Sequence, residues 1–180
     1  EYYWQKFCEA SQQLLTRNAT LREHIKVVTL TTQRGVYVYL DKDGKPLRPA
    51  IHWLDQRMAD ASKFAPFWLE YGLKAIGLYG VVDTLNRKCF SNWVRQHQPE
   101  VWAKTHKVLL LSGFFHYQLT GVFAESRGSN FGYLPINRKD FGWAEKNDII
   151  WYAFPLEKEK LPDIVVQGEA IGRVTKKAAE

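Results

Sequence analysis

Apolar residues near the start of the chain recur with a helical period. Tyr3, Phe7, Leu14 and Leu15 share one stripe and Gln5, Lys6, Gln12 and Gln13 lie off it, which predicts an amphipathic helix over residues 2–17. A polar stretch from Arg17 to His24 leads into Ile25-Lys26-Val27-Val28-Thr29-Leu30-Thr31. This β-branched run predicts a strand buried on both faces. The next segment alternates, with Val36, Val38 and Leu40 on one face and Tyr37 and Tyr39 on the other, as a second strand requires. Asp41-Lys42-Asp43-Gly44 supplies turn chemistry, because Gly takes positive φ without steric cost. Leu47 to Trp53 is expected to return as a third strand. Pro49 confines it to an edge or a strand start, since it has no amide to donate.

Beyond Arg57, Met58, Ala61 and Ala65 stand at helical spacing, and Pro66 is expected to end or kink that helix. Gly72, Gly77 and Gly80 interrupt the pattern. A further helix is predicted over Lys88–Gln98, stopping before Pro99. Lys107–Leu111 reads as a short apolar strand. Ser112 is placed to cap a helix carrying Phe114, Phe115, Tyr117 and Leu119, with Gly121 at its C-terminal stop. Residues 124–143 are rich in Ser, Asn, Gly and Arg and read as loop with short ordered pieces. One more helix is expected within residues 145–160, extended segments at 164–166 and 171–174, and a helix beginning at Lys176 and running to Glu180. Helices alternate with strands after an initial hairpin, which makes the fold class α/β with a mixed sheet.

Composition narrows this picture. The chain has 180 residues, 46% of them hydrophobic, enough to build a core and too apolar for disorder. Twenty-five Lys and Arg against nineteen Asp and Glu leave a net charge of +6, but the positive residues are scattered rather than clustered. Two cysteines, Cys8 and Cys89, are too few and too far apart for a disulfide framework or a zinc set, so a reducing cytoplasm is the simplest expectation. No apolar run is long enough to span a bilayer, so no membrane association is expected. The five histidines show no metal-ligand spacing, and neither G-x-x-x-x-G-K-[ST] nor G-x-G-x-x-G occurs.

Candidate chemistry gathers at the ends of the predicted hairpin. Gln33 and Arg34 follow the first predicted strand, and in α/β sheets ligands collect beyond the carboxyl ends of strands. Arg34 offers five fixed donors suited to hydroxyls, carboxylates or phosphates, or it simply pairs with a carboxylate at a strand end. Trp53, Asp55 and Arg57 follow the third predicted strand, and closing the hairpin returns Trp53 toward Gln33 and Arg34. A tryptophan face beside fixed donors suits a sugar or polyol, whose C–H faces pack on the ring while its hydroxyls are hydrogen-bonded. The alternative is a core tryptophan beside a surface Asp–Arg pair.

The stretch VVTLTTQRGVYVYLDKDGKPLRPAIHWLDQR resembles the sugar-binding hairpin of the FGGY carbohydrate kinases, which ends in Ala-Ile-x-Trp-x-Asp-x-Arg. NWVRQHQPEVWAKTHKVLLLSGFFHYQLTG and LPDIVVQGEAIGRVTKKAAE resemble two later stretches of the same family, in the same order. The resemblance implies an incomplete ribonuclease-H-like, actin-type ATPase domain with a mixed sheet. It implies that residues 1–180 are a partial N-terminal, sugar-binding domain, without the first phosphate-binding hairpin and without the C-terminal ATP-binding domain. It further implies a parent enzyme that uses ATP and Mg²⁺ to phosphorylate a hydroxyl of a sugar or polyol, and it leaves homodimerisation of that parent open. Gln33, Arg34 and Trp53 fall at the family's substrate-binding positions, with Asp55 and Arg57 as supporting candidates.

Gly35 departs from the family, which carries an acidic residue or a His there; the departure points away from glycerol and toward an opened pocket that admits a larger ligand. The chain starts after the family's Asp-x-Gly-Thr hairpin and ends before the Asp that acts as general base, so it carries no catalytic residue of its own and is expected to be inactive alone. A competing expectation is a non-catalytic basic module that binds nucleic acid or a protein partner. The scattered charge argues against nucleic acid.

Overall fold

A computed structural model describes residues 2–61, 65–130, 132–137 and 139–179. Along the chain it contains α1 (Tyr2–Arg17), α2 (Leu21–His24), β1 (Tyr37–Leu40), α3 (Phe67–Ala75), α4 (Tyr79–Lys88), α5 (Phe90–His97), α6 (Pro99–Lys104), β2 (Lys107–Leu110) and α7 (Leu111–Thr120). These are followed by β3 (Ala124–Ser126), α8 (Arg127–Asn130), α9 (Ile150–Ala153), a 3-10 turn at Lys158–Lys160, β4 (Asp163–Val165) and α10 (Lys176–Ala179).

The centre of the molecule is β1, buried on both faces. It pairs antiparallel with β2, Tyr37 opposite Leu110 and Leu40 opposite Lys107. On its other edge runs the 46–51 segment, bridged at Leu40–Pro46 and Tyr37–Ile51. The alternation of residues 36–40 decides which core each side chain joins. Tyr37 and Tyr39, with Val108 and Leu110, pack against Phe90, Val94, Trp102 and Phe154. Val36, Val38 and Leu40, with Leu109, pack against Phe114 and Phe115 of α7. Trp4 and Phe7 of α1 stack on each other and lean on Phe115, closing that second layer. A smaller parallel pair, β3 with β4, lies beyond α7.

Several expectations held. The 41–44 turn forms, with Gly44 at φ 74° and the Asp41 carboxylate accepting the amides of Asp43 and Lys45, each at 2.9 Å. Gly121, at φ 74°, ends α7.

Others need correction. Residues 25–31 do not form a buried strand: Val27 is 75% exposed, and among the described residues no segment pairs with this one. A β-branched run favours an extended backbone, but a strand also needs a neighbour for its amides. The third strand is reduced to isolated bridges, because Pro46 and Pro49 remove two amides from the ladder. The helix expected after Arg57 is absent over 57–61, and its continuation at 62–64 lies outside the described residues. There the Ala59 amide donates to the Arg87 carbonyl at 2.7 Å, and the Asp60 amide to Gln96 Oε1 at 2.7 Å, so α4 and α5 take the bonds a helix would need. Pro66 precedes a helix instead of ending one, since its missing amide costs nothing at a helix start.

Gly72 and Gly80 sit inside α3 and α4, and only Gly77, at φ 74°, marks the break between those helices. The single helix expected at 88–98 is split by an extended Cys89 into α4 and α5. Ser112 does not cap α7 as its N-cap; it lies within the first turn and its hydroxyl donates to Glu125 Oε2 at 2.8 Å. The helix expected within 145–160 is only α9 and a 3-10 turn, and residues 171–174 form no strand.

Candidate functional site

Three segments meet at Gly35. Its φ of 71° turns the chain from Gln33 and Arg34 into β1. A Cβ placed there would stand 2.6 Å from Cε1 of Tyr133 and 3.0 Å from Cβ of Trp53. Only glycine satisfies both the backbone angle and the close approach. The hydroxyl of Tyr37, one strand position further in, donates to the Tyr133 carbonyl, so β1 itself fixes the 132–134 segment beside Gly35. Trp53 reaches the same place because Tyr37 and Ile51 exchange both backbone hydrogen bonds, at 2.9 and 3.0 Å, and Trp53 follows two residues later.

Gln33 and Arg34 are exposed on this rim, and among the described residues neither side chain makes a hydrogen bond or ion pair. Trp53 is 51% exposed, with the His52 ring 5.6 Å from its own. The structure therefore brings Trp53 and Tyr133 to Gly35, directly after Gln33 and Arg34 in the chain, whose side chains are exposed.

Asp55 and Arg57 are placed differently. Arg57 Nε donates to Asp55 Oδ1 at 2.7 Å, and the Arg57 amide donates to the same oxygen at 3.0 Å. That hydrogen bond holds the Asp55 carboxyl below its ordinary range. The Arg57 guanidinium lies 4.4 Å from the centre of the Trp93 ring on α5, and Arg48 approaches the same ring at 6.0 Å while donating to Gln98. The pair thus pins the segment after Trp53 to α5.

Two side chains that sequence reasoning missed matter here. Tyr133 occupies the space next to Gly35, so the absence of a side chain at that position does not open the pocket: the tyrosine ring fills it. Glu125, fully buried, receives the amides of Leu110 at 2.7 Å and Gly113 at 3.0 Å as well as the Ser112 hydroxyl, and burial pushes its carboxyl up to about 7. Both lie in the polar 124–143 stretch, where the sequence carries no periodic signal. The glycine at position 35 is the one sign in the sequence that something else must stand beside it.

Two open clefts, of about 310 and 420 Å³, lie along α1 and between the 41–47 turn and α6, away from Gly35. The first is lined by Glu9, Gln12, Gln13, Thr16 and Arg17, and the second has Asp41, Asp43, Lys104 and His106 on its walls. Among the described residues no three His, Cys, Asp or Glu side chains are placed to hold a metal, and no helix is long and apolar enough to cross a membrane.

A sequence model of the FGGY family of carbohydrate kinases, N-terminal domain, matches residues 1–180. The chain belongs to that family. It is 24% identical over 182 residues to the xylulose kinase of Escherichia coli strain K12, covering 100% of this chain and 36% of that protein. It is 27% identical over 157 residues to a xylulose kinase of Lactococcus lactis, covering 85% and 30%. Among solved structures it matches a xyloylose kinase from Brucella ovis with a TM-score of 0.67 at 19% identity, over 92% of this chain and 34% of that one. A ligand-bound xylulose kinase from Lactobacillus acidophilus matches with a TM-score of 0.65 at 17% identity, over 97% and 35%.

These structures establish the fold, the actin-type, ribonuclease-H-like fold of sugar kinases. This FGGY chain spans about a third of the length of the curated relatives it matches. The family implies ATP, and typically a divalent metal. No step through the metal is assigned to the described residues of this chain.

Proposed function

We propose that this chain is the sugar-holding part of a kinase that transfers a phosphoryl group from ATP to a hydroxyl of a small ketose or polyol. The observation that carries the reading is the convergence at Gly35 of Gln33, Arg34 and Trp53, with hydrogen-bonding groups free and an aromatic face open, in a chain that the FGGY family matches over residues 1–180. Arg34 presents a planar fork of donors to vicinal hydroxyls, and its charge strengthens each bond. Trp53 takes the C–H face of the sugar, and Gln33 both donates and accepts. Fixing the sugar in one pose supplies the positioning on which phosphoryl transfer depends. Relatives named as xylulose kinases make a pentulose the first substrate to test. Asp55 and Arg57 hold the Trp53 segment in place.

We place the phosphate-holding and metal-holding groups of the working enzyme outside these 180 residues. The test is ADP release by the full-length gene product against pentuloses, hexuloses, glycerol and linear polyols. ATP turnover that depends on one of these, and no turnover by residues 1–180 alone, is the expected result. No sugar-dependent ADP release from the full-length protein would overturn the reading.

A further inference from the structure

We infer that Tyr133 sets the length of the sugar that the site accepts, an inference that rests on the sugar-site reading above. At residue 35 a side chain would project toward Trp53, but the residue is glycine, and the edge of the Tyr133 ring stands in the vacated space. Cε1 lies 2.6 Å and Cζ 3.0 Å from where a Cβ would be. The same point is 3.0 Å from Trp53 Cβ, so Tyr133 and Trp53 flank one spot next to Arg34.

The tyrosine is anchored through its backbone. Its amide donates to the Asn130 carbonyl at 3.1 Å, and its carbonyl accepts from the Tyr37 hydroxyl. Asn130 is fully buried and donates to the Ser126 carbonyl at 3.1 Å, and the neighbouring Leu134 is part of the core. Backbone position is therefore fixed by the core, while the ring is only half-buried. Among the described residues the phenol hydroxyl makes no hydrogen bond.

A rigid aromatic wall across a site lined by free donors excludes ligands by shape. A wall discriminates against an added carbon because each extra methylene must find room, which is worth roughly 10- to 200-fold. Tyr133 lies 98 residues from Gly35 in the chain, so the two act as a pair only in the folded protein.

The test uses the full-length protein and three ketoses of increasing length: D-xylulose, D-fructose and sedoheptulose. Tyr133→Ala is expected to raise the kcat/KM ratio of sedoheptulose to D-xylulose about tenfold. Tyr133→Leu, closer in bulk to the native residue and safer for folding, gives an intermediate ratio. Tyr133→Phe keeps the ring and therefore keeps the ratio within about twofold. An unchanged ratio in both Tyr133→Ala and Tyr133→Leu overturns the inference, as does a Tyr133→Phe ratio shifted as far as that of alanine. Trp53→Ala separates this failure from failure of the site. A loss of kcat/KM with every ketose in Trp53→Ala keeps the sugar site in place. No loss with any ketose removes the site, and the role of Tyr133 with it.

Discussion

The carboxylate of Glu125 fills the space over Gly113 that a side chain at position 113 would need. A Cβ on Gly113 would fall against Oε1 and stand 2.6 Å from Cδ of that glutamate. Oε1 accepts the amides of Leu110 and Gly113 and Oε2 the hydroxyl of Ser112, so one buried side chain from β3 ties the end of β2 to the first turn of α7. The three donors, one of them an amide in the first turn of α7, favour the ionised form. Burial opposes them and wins, leaving the carboxyl at about 7.

This relationship makes stability depend on pH with a definite sign. Between about 4.3, the value of an unfolded glutamate, and about 7, the folded protein holds a proton that the unfolded chain has released. Stability contributed by the neutral carboxyl is therefore complete below that window and is lost as pH rises through it, by roughly 4 kcal/mol in all. His116 acts in the opposite sense: burial lowers its pKa, so its contribution is lost as pH falls. Urea unfolding of wild type and Glu125→Gln from pH 4.5 to 8 isolates the glutamate, because His116 is common to both. The expected result is a difference between the two proteins that changes across the window; parallel curves contradict it.

Gly113→Ala should destabilise the protein by about 1–3 kcal/mol, the usual cost of forcing atoms into a filled core. In a Glu125→Ala background the clash is gone, and the same substitution should cost clearly less. A double-mutant cycle by urea unfolding reads the coupling. Equal costs in both backgrounds would mean that Gly113 is required for some other reason.

The Asp55–Arg57 pair joins Asp55 Oδ1 to the amide and Nε of Arg57 and stacks the guanidinium on Trp93. Arg57→Ala should let the Asp55 carboxyl rise toward its ordinary value, since the Arg57 hydrogen bond is the largest cause of its depression. The pair is partly exposed and its packing on Trp93 is a surface contact, so the stability loss is expected to be about 1 kcal/mol or less. Carboxyl NMR titration checks the first point. In the full-length enzyme KM for the sugar should change less than about threefold, because positioning groups that are already engaged contribute little direct binding. A tenfold rise would show that the pair matters to sugar binding beyond this minor supporting role.

Legibility of this protein from its sequence followed the range of the interactions. The alternation at 36–40 named both faces of β1 correctly because period-two burial is written in consecutive residues. Gly121 and Gly44 announced their turns for the same local reason. Residues 25–31 look like a buried strand and are exposed, since pairing depends on a neighbour that no local pattern reports. Residues 57–61 look helical and form no helix, since the Ala59 and Asp60 amides bond to α4 and α5 far along the chain.

At the candidate site, Gln33, Arg34 and Trp53 were singled out by their places at predicted strand ends and then by a family likeness, and the fold brings Trp53 to Gly35, next to Arg34 in the chain. Asp55 and Arg57 were singled out as well, and the Asp–Arg pair that the sequence offered as an alternative forms, whereas the core tryptophan of that alternative does not. Tyr133 and Glu125 escaped detection because the partners that define them are a missing side chain, main-chain amides and a carbonyl. Such partners leave no mark on residue type.

The central claim is that the Gly35 rim binds the sugar, and its most direct test is the kinetics of Arg34→Ala in the full-length enzyme. Losing a charged donor to a substrate hydroxyl costs about 1.5–3 kcal/mol, which raises KM for the sugar roughly tenfold to a hundredfold. KM for ATP should stay within about twofold, because the arginine is proposed to touch only the sugar. An unchanged KM for the sugar, or an equal rise in both constants, would contradict the account.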